Sequence, residues 1–121
     1  MKTFAILFLM TLSTVSCKSN SNTTSQKDGL AQVLKKSETL ILDVRTPEEF
    51  STKHAPGALN IPITELKERL ETESQLADRD KPIVVHCAKG SRSGKAMTIL
   101  TDNGYTDLHD AKTLEEVLKN Q

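Results

Sequence analysis

The sequence predicts an α/β domain, a small and mainly parallel sheet with helices on both faces. Three observations predict it. Short β-branched and aliphatic runs alternate with segments that carry helix caps and helical apolar spacing. The run Ile83, Val84, Val85 leading into His86 is apolar without alternation, as a central parallel strand covered on both faces requires. Two cysteines in 121 residues are too few for a disulfide scaffold, so stability has to come from a packed core. That length suits one domain and is too short for two.

The chain opens with Lys2, an apolar run from Phe4 to Leu12 and small residues up to Ser16. Residues 1–16 therefore read as a signal peptide, too short for the roughly 20 helical residues that span a bilayer. Cys17 follows Thr14-Val15-Ser16 and resembles the lipid-bearing cysteine of a bacterial lipoprotein cleavage box. Thr14 stands where that box has leucine, so ordinary cleavage near Ser16 is the alternative. Residues 17–27 are polar and read as a flexible tether, with the domain proper at 28–121. The expected location is outside the bacterial cytoplasm, as a periplasmic protein or as a lipoprotein anchored to a membrane through Cys17.

Leu30, Ala31, Val33 and Leu34 have the spacing of a short helix, and Thr39 to Val44 is a buried strand. Thr46-Pro47-Glu48-Glu49 opens a helix with threonine as N-cap, proline at the first position and a capping-box glutamate. His54 to Gly57 ends it, and Ala58 to Ile61 is a second short strand before Pro62. Thr64 is expected to cap a helix carrying Leu66, Leu70 and Leu76. After the Ile83–His86 strand, Ala96, Met97, Ile99 and Leu100 continue a helix to an Asn103-Gly104 C-cap. Tyr105 to Leu108 reads as the last strand, and Thr113 with Glu116 as a second capping box opening a terminal helix.

Composition excludes several functions. Sixteen basic and sixteen acidic residues cancel, so no global field gathers nucleic acid or an anionic surface. Outside the leader the aromatics are Phe50 and Tyr105, too few for a base-stacking platform. Two cysteines without a histidine pair beside them argue against a structural metal, and no metal site is expected.

The chemistry concentrates at Cys87. Ligands of parallel sheets bind beyond the carboxyl ends of the strands, and Cys87 sits there, joined by Ala88-Lys89-Gly90-Ser91-Arg92-Ser93 to the next helix. Backbone N–H groups of such a loop, the helix N-terminus, Lys89 and Arg92 all favour thiolate over thiol. Gly90 permits the tight curl. Cys87 is the expected nucleophile, and Ala88, Lys89, Gly90, Ser91 and Arg92 are the expected anion-binding residues.

With these residues in place, the stretch from Leu40 to Leu114 resembles a single-domain rhodanese, a sulfurtransferase. The resemblance is carried by Leu42-Asp43-Val44-Arg45-Thr46-Pro47-Glu48-Glu49-Phe50, by His54-Ala55-Pro56-Gly57-Ala58-Leu59-Asn60-Ile61-Pro62, by the Cys87 loop, and by Ser93-Gly94-Lys95-Ala96 onward to Gly104-Tyr105. With its leader, the chain is most similar to the small exported rhodaneses of the phage-shock type. The resemblance implies that Cys87 takes a sulfane sulfur from thiosulfate or a related small donor, holds it as a persulfide, and passes it to a thiol or cyanide. That chemistry needs no metal or organic cofactor, and no nucleic-acid partner is expected.

The alternatives are a non-enzymatic binding module on the same fold, which this chain's retained Cys87 opposes, and a cysteine-dependent phosphatase or arsenate reductase. Those enzymes surround their tetrahedral oxyanion with a loop one residue longer than the Ala88–Ser91 span between Cys87 and Arg92.

Other polar residues receive structural readings. Strand alternation turns His86 away from Cys87, toward a buried hydrogen-bonded role. Asp43 and Arg45 match a block that, in the family, ties the first strand to the active-site loop. His54 to Pro62 is a turn enabled by Gly57, and His109 is a solvent residue. The family commonly has two glycines where this chain has Lys112-Thr113. Lys112 is therefore expected at the rim of the site, as an extra cation for an anionic donor, the alternative being a solvated residue ahead of the Thr113 cap.

Overall fold

The computed structural model describes residues 26–121. The leader 1–16, the Cys17 acylation position and most of the tether lie outside the described residues. Among those described the order is α1 (Gln26–Leu34), β1 (Leu40–Asp43), α2 (Pro47–Thr52), β2 (Leu59–Asn60), α3 (Leu66–Arg69), a 3-10 turn at Ser74–Leu76, β3 (Ile83–Cys87), α4 (Ser91–Asp102), β4 (Leu108–Thr113) and α5 (Leu114–Asn120). The helix α1 begins at Gln26, inside the stretch read from sequence as tether.

The strands form one sheet in the order β2-β1-β3-β4, with every pairing parallel. Strand alternation sorts the core into two layers. Leu40, Leu42, Val44, Ile83, Val85 and Cys87 face α3, α4 and Tyr105. Ile41 and Val84 face the other way, onto Val33 of α1 and Val117 of α5. The fold class predicted from the sequence is the one observed.

Three elements differ from the sequence reading. Thr64 caps nothing: α3 starts at Leu66 with Glu65 at the N-cap and no side-chain cap bond, while Leu76 belongs to the separate 3-10 turn. The last strand is Leu108–Thr113 and not Tyr105–Leu108. Tyr105 instead lies buried before it, its hydroxyl donating to the Leu76 carbonyl at 2.7 Å. At the third difference, Thr113 accepts from the Glu116 N–H at 3.2 Å, which is one half of the capping box expected there. The Thr46 box is complete, with Glu49 N–H to Thr46 Oγ1 at 3.3 Å and Thr46 N–H to Glu49 Oε2 at 2.9 Å.

Candidate active site

The site forms where β3 ends. Cys87 is the last residue of the central strand and is fully buried. The chain then turns through exposed Ala88 and Lys89 to Gly90, which has φ 100° and serves as N-cap of α4. A left-handed conformation here suits glycine, and it folds the backbone back over the thiol. The Gly90 N–H donates to Cys87 Sγ at 3.0 Å. Because the first intrahelical bond runs from the Gly94 N–H to the Gly90 carbonyl at 3.1 Å, the N–H groups of the first turn of α4 are free to face the sulfur.

Two influences on the thiol oppose each other. Burial pushes its pKa up, and this is the largest single effect. The backbone N–H groups of Ser93, Gly90 and Lys89, with the Ser93 hydroxyl, pull it down, and together they hold Cys87 below its ordinary value. Ser93 is fully buried, and its hydroxyl also reaches the Gly90 carbonyl at 3.0 Å. One hydroxyl proton serves either the carbonyl or the sulfur. The loop expected from the sequence runs to Ser93, but the expected anion-binding residues end at Arg92 and leave Ser93 without a role. Its position in the first turn of α4, where N–H groups lack helical partners, was the available signal.

Ser93→Ala is expected to raise the thiol pKa, because it removes a donor to the charged form. The Gly90 carbonyl keeps its Gly94 N–H, so the loop persists. The pH dependence of Cys87 alkylation by iodoacetamide should shift to higher pH, and an unmoved midpoint would count against a role for the hydroxyl.

Of the cations expected at the site, Lys89 is exposed and Arg92 is half-buried. Arg92 does not point freely into the loop. Its Nη1 and Nη2 donate to Glu49 Oε2 and Oε1 at 2.7 and 3.0 Å, a bidentate pair that joins the loop to α2. The Arg92 side chain beside it, the Thr46 N–H and the charge of Arg92 bring the Glu49 pKa down to about 2, against some opposing burial. The pair therefore persists through mildly acidic pH and is lost only as pH falls toward that value. Glu49 is the second residue the sequence reading missed, having been read as a cap alone. Ser91 is exposed at the start of α4.

The Asp43–Arg45 pair lies on the face of the sheet opposite the Cys87 side chain, where Arg45 lines a cleft together with Ala88 of the Cys87 loop. Arg45 Nε and Nη2 donate to the Asp43 carboxylate at 2.7 to 3.1 Å, and Nη2 also donates to the Lys53 carbonyl at 2.7 Å. The pair thus fastens β1 to the end of α2, because Asp43 alternates onto the α1 and α5 side. His86 shares that face, as expected, with Nε2 3.6 Å from Asp43 Oδ2. Its Nδ1 lies 3.4 Å from the Cys87 carbonyl, an acceptor, while Nε2 has no hydrogen-bond partner. Burial, only partly offset by Asp43, pushes the His86 pKa down and keeps the ring neutral at pH 7.

His54 is held in its turn by stacking on Phe50 at 4.0 Å and by a 2.9 Å contact to the Phe50 carbonyl, with Gly57 at φ 76°. His109 is not a free solvent residue. Its side chain is 33% exposed and its Nε2 pairs with Asp107 Oδ1 at 2.6 Å. A cleft of about 340 Å³ opens beside Ala88, between Arg45, Lys53 and the Thr113–Glu115 start of α5.

A parallel sheet ending in a buried thiol, cradled by N–H groups at a helix start, defines a protein that stabilises an anionic sulfur. Residues 26–114 match the rhodanese-like domain family. The chain belongs to that family, and it is a rhodanese-type enzyme. It is 40% identical over 76 residues to the thiosulfate sulfurtransferase PspE of Escherichia coli, covering 63% of this chain and 71% of that one. It is similar to the solved structure of an E. coli rhodanese with anions, at TM-score 0.59 and 38% identity, over 64% of this chain and 89% of the other. A human single-domain sulfurtransferase is similar at TM-score 0.67 and 28% identity, over 78% and 93% of the two chains.

Proposed function

We propose that this protein moves a sulfane sulfur from thiosulfate, or a donor of the same kind, to a thiol or cyanide through a persulfide on Cys87. The reading is carried by one observation, the Gly90 N–H at 3.0 Å from a buried Sγ whose pKa is lowered. The Cys87 thiolate attacks the outer sulfur of thiosulfate. An S–S bond forms to Sγ, the bond to the sulfonate sulfur breaks, and sulfite leaves with the electron pair. The persulfide anion remains in the ring of N–H groups, which compensates its charge as an oxyanion hole does. Cyanide or an acceptor thiolate then attacks the terminal sulfur, giving thiocyanate or a new persulfide and restoring the Cys87 thiolate. Ala88, Lys89, Gly90, Ser91 and Arg92 form the wall of the donor site. The four residues between Cys87 and Arg92 favour a single sulfur over a phosphoryl group.

The test is stoichiometric. Thiosulfate and cyanide should yield thiocyanate and sulfite in equal amounts, with negligible hydrolysis of an aryl phosphate. Robust phosphate release without sulfur transfer would revive the phosphatase alternative.

Charge near the loop gives a second expected result. Arg92→Ala should lower kcat/KM for thiosulfate more than Lys89→Ala, by about tenfold, the worth of one charge-assisted hydrogen bond of about 1.5 kcal/mol. The variant loses a cation and also leaves Glu49 unpaired beside an anion site. Adding Glu49→Gln should therefore recover part of the loss. Equal losses for the two cations, or no recovery, would contradict the assignment.

The proposal includes export by residues 1–16 and acylation of Cys17, supported by the apolar run from Phe4 to Leu12 and the small residues before Cys17. On that reading the enzyme works in the periplasm or at a membrane surface.

A further inference from the structure

Three features single out Lys112. It has φ 67°, the one non-glycine residue in the left-handed region among those described. Side chains are strained there, and such strain persists where the surroundings impose it. An irregularity in the pairing of β3 with β4, between Val85 and His86, sets Lys112 level with His86 and Thr113 level with Cys87. Finally, the lysine stem lies over the cradle. A carbon added to Gly90 would meet Lys112 Cβ at 3.3 Å, Cγ at 3.7 Å and Cδ at 3.9 Å.

Charge accounting gives these contacts a direction. Arg92 is held by Glu49 and Arg45 by Asp43, whereas Lys89 and Lys112 enter no ion pair among the described residues. Lys112 is exposed, yet its stem covers the residue whose N–H holds a thiol with no exposed surface. We infer that Lys112 selects the donor. Its ammonium draws small anions to the rim, and its stem narrows the approach past Gly90 against bulky ones. A glycine here would do neither. The inference rests on the sulfur-transfer reading for its natural ligand, while the geometry concerns any reagent that reaches Cys87.

The test compares wild type with Lys112→Met, which keeps the stem without charge, and Lys112→Gly, which removes both and suits a positive φ. Two readouts are followed: KM for thiosulfate at low and high ionic strength, and alkylation of Cys87 by iodoacetate, iodoacetamide and N-ethylmaleimide, measured on the Cys87 peptide. Both variants should raise KM by about two- to five-fold at low salt, the range for an exposed charge, with kcat unchanged and the difference gone at high salt. Both should lower the iodoacetate-to-iodoacetamide rate ratio, and only Lys112→Gly should accelerate the bulkier maleimide. Wild-type values for both variants in both readouts would overturn the inference. Altered alkylation ratios in a protein that transfers no sulfur would uphold the role of Lys112 and refute the sulfur-transfer reading instead.

Discussion

Cys87→Ser is expected to lower sulfur transfer by at least about three orders of magnitude, in line with removal of other catalytic nucleophiles, and to leave the fold intact. Serine is close in volume, so the layer formed with Leu42, Val85 and Ala96 loses no packing. The loop is held by the conformation of Gly90 and the start of α4, neither of which needs sulfur. A hydroxyl, however, does not ionise near neutral pH, and among the described residues no side-chain base is hydrogen-bonded to position 87 to take its proton. His86 points to the other face of the sheet, its Nδ1 engaged with the Cys87 carbonyl. Circular dichroism should match wild type while thiocyanate formation disappears. Retained turnover would remove Cys87 from the mechanism.

The second large effect is on stability. Asp43→Ala is expected to cost about 3–5 kcal/mol, the usual consequence of removing one partner of a buried ion pair. Asp43 is fully buried, and its carboxylate accepts from the side chain of Arg45 and from the Arg45 N–H at 3.0 Å. Without it Arg45, whose side chain is only 8% exposed, keeps the Lys53 carbonyl alone. A domain of this size has about 5–15 kcal/mol in total, so the loss should be plain in urea unfolding. Adding Arg45→Met, which removes the stranded charge, should restore much of it. A single-variant loss below about 1 kcal/mol would mean that Arg45 escapes to water.

What could be read from the sequence depended on how each segment is buried. Ile83 to Val85 is covered on both faces, so its composition alone marks a central strand, and Cys87 follows at its carboxyl end. The strand Leu108–Thr113 sits at the sheet edge with only Ala111 fully buried, and its sequence Leu-His-Asp-Ala-Lys-Thr shows no strand pattern. Tyr105 has strand-like chemistry but is buried as a plug bonded to Leu76, which drew the predicted strand three residues early. Glu49 was legible as a cap because capping is local. Its bond to Arg92 spans 43 residues, and no local pattern announces such a pairing. The rim position of Lys112 was inferred from the family's glycines, while its left-handed backbone and its contact with Gly90 needed the register of β3 and β4.

The central claim, a persulfide on Cys87, is tested most directly by intact-protein and peptide mass spectrometry after incubation with thiosulfate and removal of excess donor. The expected result is a gain of one sulfur atom, located on the Cys87 peptide, released by cyanide and absent from Cys87→Ser. An unmodified Cys87 peptide after exposure to thiosulfate and to persulfide donors, in protein shown to be folded, would contradict the mechanism.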